Sequence, residues 1–127
     1  MLNWEESCYK IAKNNGAIMQ GKIRLSNGTN CLIFAHYCDN TVFYKEFFRV
    51  SKEIFKANKL VSRNLKEIKS IVKNQGYEKV WIKGVFSFYG DLRPLAVKAG
   101  FGQWGSDGII ENHRYGSNFL ISAVFYR

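Results

Sequence analysis

AIMQGKIRLSNGTNCLIFAHYC, residues 17–38, is the stretch on which the fold turns. Lys22, Ile23, Arg24 and Leu25 alternate polar and apolar, the mark of a half-buried strand. Asn27-Gly28 is the dipeptide favoured in tight hairpins, and Cys31-Leu32-Ile33-Phe34-Ala35 is a compact apolar run. The expectation is a pair of strands, the second more deeply buried, joined by a tight turn.

Upstream, Trp4, Cys8, Ile11 and Ala12 recur at helical spacing before the stop signal Asn14-Asn15-Gly16, so residues 3–14 read as a short amphipathic helix. Downstream, Phe43, Phe47, Val50, Ile54, Val61, Leu65, Ile68 and Val72 recur every three or four residues across 41–74. That length is large for a globular helix, and Ala57-Asn58 with nearby Ser62 suggests a break into two. Gly76 ends the helical pattern. Residues 79–86 read as a strand interrupted at Gly84, and residues 92–98 as a short helix with Asp91 as a candidate cap, Pro94 in its first turn and Gly100 after its end. Residues 101–115 read as irregular around Ile109-Ile110, and residues 119–126 as a buried closing strand.

These elements predict one α/β (α+β) domain over residues 1–127, because a chain of 127 residues suffices for one hydrophobic core. A hydrophobic content of 46% with a single proline is that of an ordinary globular protein. The N-terminal MLNWEESCYK has neither the basic start nor the apolar run of a secretory signal, and no apolar run has the length of a membrane span. The expected location is the cytoplasm, without membrane attachment. Cys8, Cys31 and Cys38 form no C-x-x-C pair, so reduced, structural thiols are expected rather than disulfides, zinc or iron–sulfur ligation. No spacing ties His36 or His113 to any of them.

Gly100-Phe101-Gly102-Gln103-Trp104-Gly105 matches G-x-G-x-x-G literally. A dinucleotide-binding turn must follow a strand and open a helix, whereas this run follows a predicted helix, and no Gly-Lys-Ser/Thr follows to make a phosphate loop. What remains is a run in which Gly100, Gly102, Gly105 and Gly108 permit close approach of a ligand to the main chain, with Trp104 offering a flat apolar face. A convoluted connection plugged by Trp104 accounts for the same residues equally well. Tyr115-Gly116-Ser117-Asn118 is a second turn-like cluster with polar donors.

The run Leu95 to Ile110, with Ala99-Gly100-Phe101-Gly102-Gln103-Trp104-Gly105-Ser106-Asp107-Gly108 at its centre, followed by Tyr115-Gly116-Ser117 and an apolar strand, resembles the cobalamin-binding region of epoxyqueuosine reductases and corrinoid reductive dehalogenases. The resemblance implies a nitroreductase-like αβα sandwich with a central mixed sheet. It also implies a corrinoid lying against Gly100, Gly102, Gln103, Trp104, Gly105, Ser106, Gly108, Tyr115, Gly116, Ser117 and Asn118. Two departures limit what it implies. The chain has no cysteine run with ferredoxin spacing, so electrons would come from a separate iron–sulfur partner. Where epoxyqueuosine reductases carry a proton-donating aspartate, this chain has Phe86; Asp91, the nearest carboxylate, suits a helix cap or a pair with Arg93. The expected role is a corrinoid-binding domain or oxidoreductase subunit. A relative that has lost the corrinoid is the variant of the same reading, catalysis unrelated to corrinoids, for instance with a flavin, is a third possibility, and a homodimer is compatible with each.

The formal charge of +9 invites a polyanion. Residues 45–73 hold nine cations against three glutamates, Glu46, Glu53 and Glu67, a surplus of six. The face lined by Lys45, Arg49, Lys52, Lys56, Lys59, Arg63 and Lys66 is therefore the alternative working surface, for RNA such as tRNA; a simply solvated helical face explains the pattern too.

Overall fold

The computed structural model describes residues 3–39, 47–84, 92–105 and 110–127, with residues 47–53 described by their helical backbone alone. Helix α1 spans Trp4–Asn14, and its N-cap Asn3 accepts a hydrogen bond from the Glu6 N–H at 2.8 Å, satisfying one of the amides that a helix start leaves open. Strands β1 (Ala17–Arg24) and β2 (Asn30–Tyr37) form the expected hairpin. Its turn is wider than a two-residue one. Leu25 and Thr29 close the loop Ser26, Asn27, Gly28, and the Asn27 side chain accepts the Thr29 N–H at 3.0 Å.

Helix α2 is a single helix, Phe47–Lys73, rather than two. Ala57 lies on its packed face, 7% exposed, where a small side chain with high helix propensity continues the helix instead of breaking it. Strand β3 is Val80–Lys83, starting after Lys79 and ending just before Gly84; residues 85 and 86 of the anticipated strand lie outside the described residues. Helix α3 is Arg93–Lys98, with Leu92 at its N-cap; Asp91, the anticipated cap, also lies outside them. Strands β4 (Gln103–Trp104) and β5 (Ile110–Glu111) form a short antiparallel ladder in a region expected to be irregular. Strand β6, Phe119–Tyr126, is the closing strand at the expected bounds.

The main sheet has the order β1-β2-β6-β3, and each of its ladders is antiparallel. This corrects the expectation of a mixed sheet and makes the architecture α+β. The central strands β2 and β6 are buried almost throughout, because both of their faces are covered. On one face, Leu32, Phe34, Val124 and Tyr126 pack against Cys8 and Ala12 of α1 and Val61, Leu65, Ile68 and Val72 of α2. On the other, Cys31, Ile33, Ala35, Ala123 and Phe125 meet Ala96 of α3, Phe101 and Ile110. The period-two alternation of β2 thus divides its side chains between two cores. Among the described residues, no helix is long and apolar enough to cross a membrane.

Candidate functional site

The glycine-rich segment begins where α3 ends. Gly100 has φ +83°, and the Phe101 N–H bonds Ala96 O at 2.9 Å while the Gly100 N–H bonds Val97 O at 3.0 Å. This pair of bonds is the Schellman arrangement, and its accompanying apolar contact is supplied by Phe101 and Ala96, both buried in the same core. The chain is thereby turned out of the helix and anchored by Phe101, then exposes Gln103 and Trp104 on β4.

One of the other glycines, Gly102, has a reason that involves no ligand. A Cβ at Gly102 would overlap the Glu111 carbonyl oxygen and stand 2.8 Å from its carbon, so the β4–β5 ladder closes only around a glycine. A Cβ at Gly105 would stand 2.5 Å from Cδ of the Glu111 side chain. At Gly100, by contrast, an added Cβ meets nothing within 4 Å, so the space beside it is open.

That space belongs to a cavity of about 540 Å³ lined by Gly100, Gly102, Gln103, Trp104, Glu111, Asn112 and His113. Trp104 is 49% exposed, and the Arg93 guanidinium lies 5.7 Å from its ring centroid, within cation–π range. Asn112 is the organising residue. Its Nδ2 donates to Phe101 O at 2.8 Å, its Oδ1 accepts from the N–H groups of Arg114 (2.8 Å) and Tyr115 (3.0 Å), and its backbone exchanges two 2.8 Å bonds with Gly116. One side chain therefore joins the glycine-rich turn to the following loop. The Asn that opens a turn rich in Tyr and Gly carried a signal for this role, since such residues bond the backbone two residues on.

Of the residues anticipated for a ligand, Gly100, Gly102, Gln103 and Trp104 share this cavity, and Gly105 borders Glu111. Tyr115, Gly116, Ser117 and Asn118 form the neighbouring loop. Tyr115 is partly buried against the second core with the Arg114 guanidinium 5.4 Å from its ring centroid, and Asn118 O accepts the Cys38 N–H at 3.1 Å. Ser106 and Gly108 lie outside the described residues. Glu111, Asn112 and His113 complete the lining and were not anticipated from sequence.

On the anticipated basic face, Lys56, Lys59, Arg63 and Lys66 are exposed along one ridge of α2. Lys45 and the side chains of Arg49 and Lys52 lie outside the described residues. The three cysteines are buried. Burial, assisted by the Glu5 carboxylate, pushes the Cys8 thiol up to about 11; burial, opposed by Lys83, pushes Cys31 up to about 12. Both are poor nucleophiles near neutrality.

A second cavity, of about 280 Å³, opens on the opposite face of the sheet, between the end of β2 and α2. It is lined by Gly16, His36, Tyr37, Lys56, Ala57 and Leu60. His36 is 1% exposed, and neither of its ring nitrogens presents accessible surface. Burial drives its pKa down to about 4, opposed by a hydrogen bond with the Asn15 backbone.

No protein-family model matches this chain, and no curated protein matches it.

Proposed function

We propose that the cavity beside the glycine-rich turn binds a corrinoid, the chain serving as a cobalamin-binding domain or subunit of nitroreductase-like fold. The observation that carries this reading is the pairing of open space at Gly100 with the half-exposed ring of Trp104 in a cavity of about 540 Å³. The lining is more polar than apolar, with Trp104 as its aromatic face, which suits the amide-fringed edge of a macrocycle. The residues suit such a group at one edge: Trp104 offers a ring face to the macrocycle, and the exposed Gln103 amide can bond its peripheral amides. Asn112, bonded to Phe101, Arg114 and Tyr115, holds this rim in place. The resemblance of residues 95–118 to corrinoid-binding sequences points to the same ligand.

A bound corrinoid supplies one-electron cobalt chemistry. The chain's own contribution is to bind and orient it, with electrons delivered by a separate iron–sulfur protein. Anaerobic titration with cob(II)alamin and hydroxocobalamin tests the reading. Saturable spectral change with a rise in melting temperature, both weakened in Trp104→Ala, is the expected result; unchanged spectra and an unchanged melting temperature refute it.

A second reading rests on the ridge of Lys56, Lys59, Arg63 and Lys66, which extends over about 15 Å of helix and can pair with RNA phosphates. It expects binding of a tRNA probe that falls steeply with salt and drops when these four residues are replaced by glutamine.

A further inference from the structure

The outward face of α2 carries an aromatic side chain that the core does not take. Phe55 is 66% exposed, whereas Val61, Leu65, Ile68 and Val72 of the same helix are buried. At 3.6 residues per turn, Phe55 stands roughly 130° round the helix from the middle of that buried stripe. It belongs instead to the row Phe55, Lys59, Ser62, Lys66, whose members follow one another at helical-neighbour spacing and are all exposed. Lys56 and Arg63, also exposed, flank this row. Among the described residues, none of Lys56, Lys59, Arg63 and Lys66 has an ion-pair partner. Glu67, the one carboxylate between Lys56 and Lys73, lies one turn beyond Arg63, so the positive surplus is greatest towards Phe55.

This combination selects among polyanions. An acidic protein surface offers carboxylates to the cations but no flat face to the phenyl ring. A second copy of the chain would bring a formal charge of +9 against another +9. A nucleic-acid duplex keeps its base faces within its own stack, and the major groove of A-form RNA is too deep and narrow for side chains to read. An unpaired RNA strand supplies both complements, phosphates for the cations and base faces that stack on an aromatic ring. The distance from Lys56 to Lys66, about 15 Å of helix, accommodates about four nucleotides at a stacked rise of 3.4 Å each.

We propose that the outward face of α2 binds a single-stranded RNA segment, with phosphates along Lys56, Lys59, Arg63 and Lys66 and one base stacked on Phe55. The proposal rests on the RNA reading of the basic ridge and narrows it from RNA in general to an unpaired stretch. It is independent of any cofactor bound at Trp104.

The test is fluorescence anisotropy of the whole chain with a labelled oligouridylate of about ten nucleotides, its duplex with oligoadenylate, and polyglutamate as competitor. The single strand should bind at least about tenfold more tightly than the duplex, and polyglutamate at matched charge should not displace it. Phe55→Leu exchanges an exposed ring for a good helix former; it should weaken single-strand binding by about fivefold or more without altering its salt dependence. Lys59→Gln should lower the slope of log affinity against log salt by about 0.7 while the single-strand preference persists. In the unmodified chain, the Phe55 ring signals in NMR should shift saturably with oligouridylate, which decides the matter should Phe55→Leu fail to fold. Equal affinity for strand and duplex, undiminished binding in folded Phe55→Leu, an unmoved Phe55 ring, or displacement by polyglutamate overturns the proposal. Equal binding of strand and duplex that disappears when the four cations are replaced by glutamine leaves the ridge reading standing and defeats this proposal alone. No binding of either RNA at low salt defeats both.

Discussion

The two faces of the sheet are built on opposite principles. The face toward α1 and α2 is a broad apolar core whose interior includes polar atoms without partners, at Asn64 and Tyr126. On the face toward α3 and the β4–β5 ladder, the polar side chain Asn112 is bonded through both ends of its amide. A satisfied polar side chain holds a loop in place, whereas an unsatisfied buried one stores a free-energy deficit. On the first face, then, conformation is secured by apolar packing. On the second, polarity secures the conformation and an aromatic ring is left over.

The largest effect that could break this contrast is the pH dependence of His36. Its pKa lies below the ordinary 6.5 in the folded chain, so the unfolded chain takes up the proton first. The resulting stability is complete above about pH 6.5 and is lost as pH falls towards 4, by up to roughly 3 kcal/mol. Denaturant unfolding between pH 7.5 and 4 should show this loss, and His36→Phe should flatten it; an equal slope in both chains would mean that His36 is not buried in the neutral form.

Next in size is a pair of glycine substitutions on the other face. Gly102→Ala sets a methyl group against the Glu111 backbone, which cannot yield without opening the β4–β5 ladder, and should destabilise by about 1–3 kcal/mol. Gly105→Ala meets only the exposed Glu111 side chain, which can rotate away, so about 0.5 kcal/mol or less is expected. Comparing the two midpoints sharpens the assignment of Gly102 to architecture. Trp104→Ala should leave stability within about 1 kcal/mol of the parent, the ring being half exposed, while ligand binding is lost.

How much of this was legible follows from the physics of each element. The α1 stripe, the β1–β2 pair and β6 were readable because their apolar residues recur at the period of the structure they form, and Cys8 and Ala12 are indeed buried. The continuity of α2 was not, because Asn58 and Ser62 are weak helix formers whose cost the packing of Ala57, Val61 and Leu65 outweighs. Strand direction was illegible because pairing joins residues far apart, such as Ala35 with Ile121. At the candidate site, Gly100, Gln103 and Trp104 stood out by type. Glu111, Asn112 and His113 reach the cavity only through the β4–β5 ladder, a two-residue pairing too short to leave a periodic trace. His36 was visible as a residue, but its near-complete burial is a property of the packed chain alone.

The most direct test of the central claim, that the glycine-rich turn is the ligand-binding surface, is hydrogen exchange of the whole chain with and without hydroxocobalamin. The account predicts slowed exchange confined to residues 100–105 and 110–113, with α1 and the Lys56 to Lys66 ridge unchanged. Protection spread along α2, or none at the glycine-rich turn under saturating hydroxocobalamin, would contradict it.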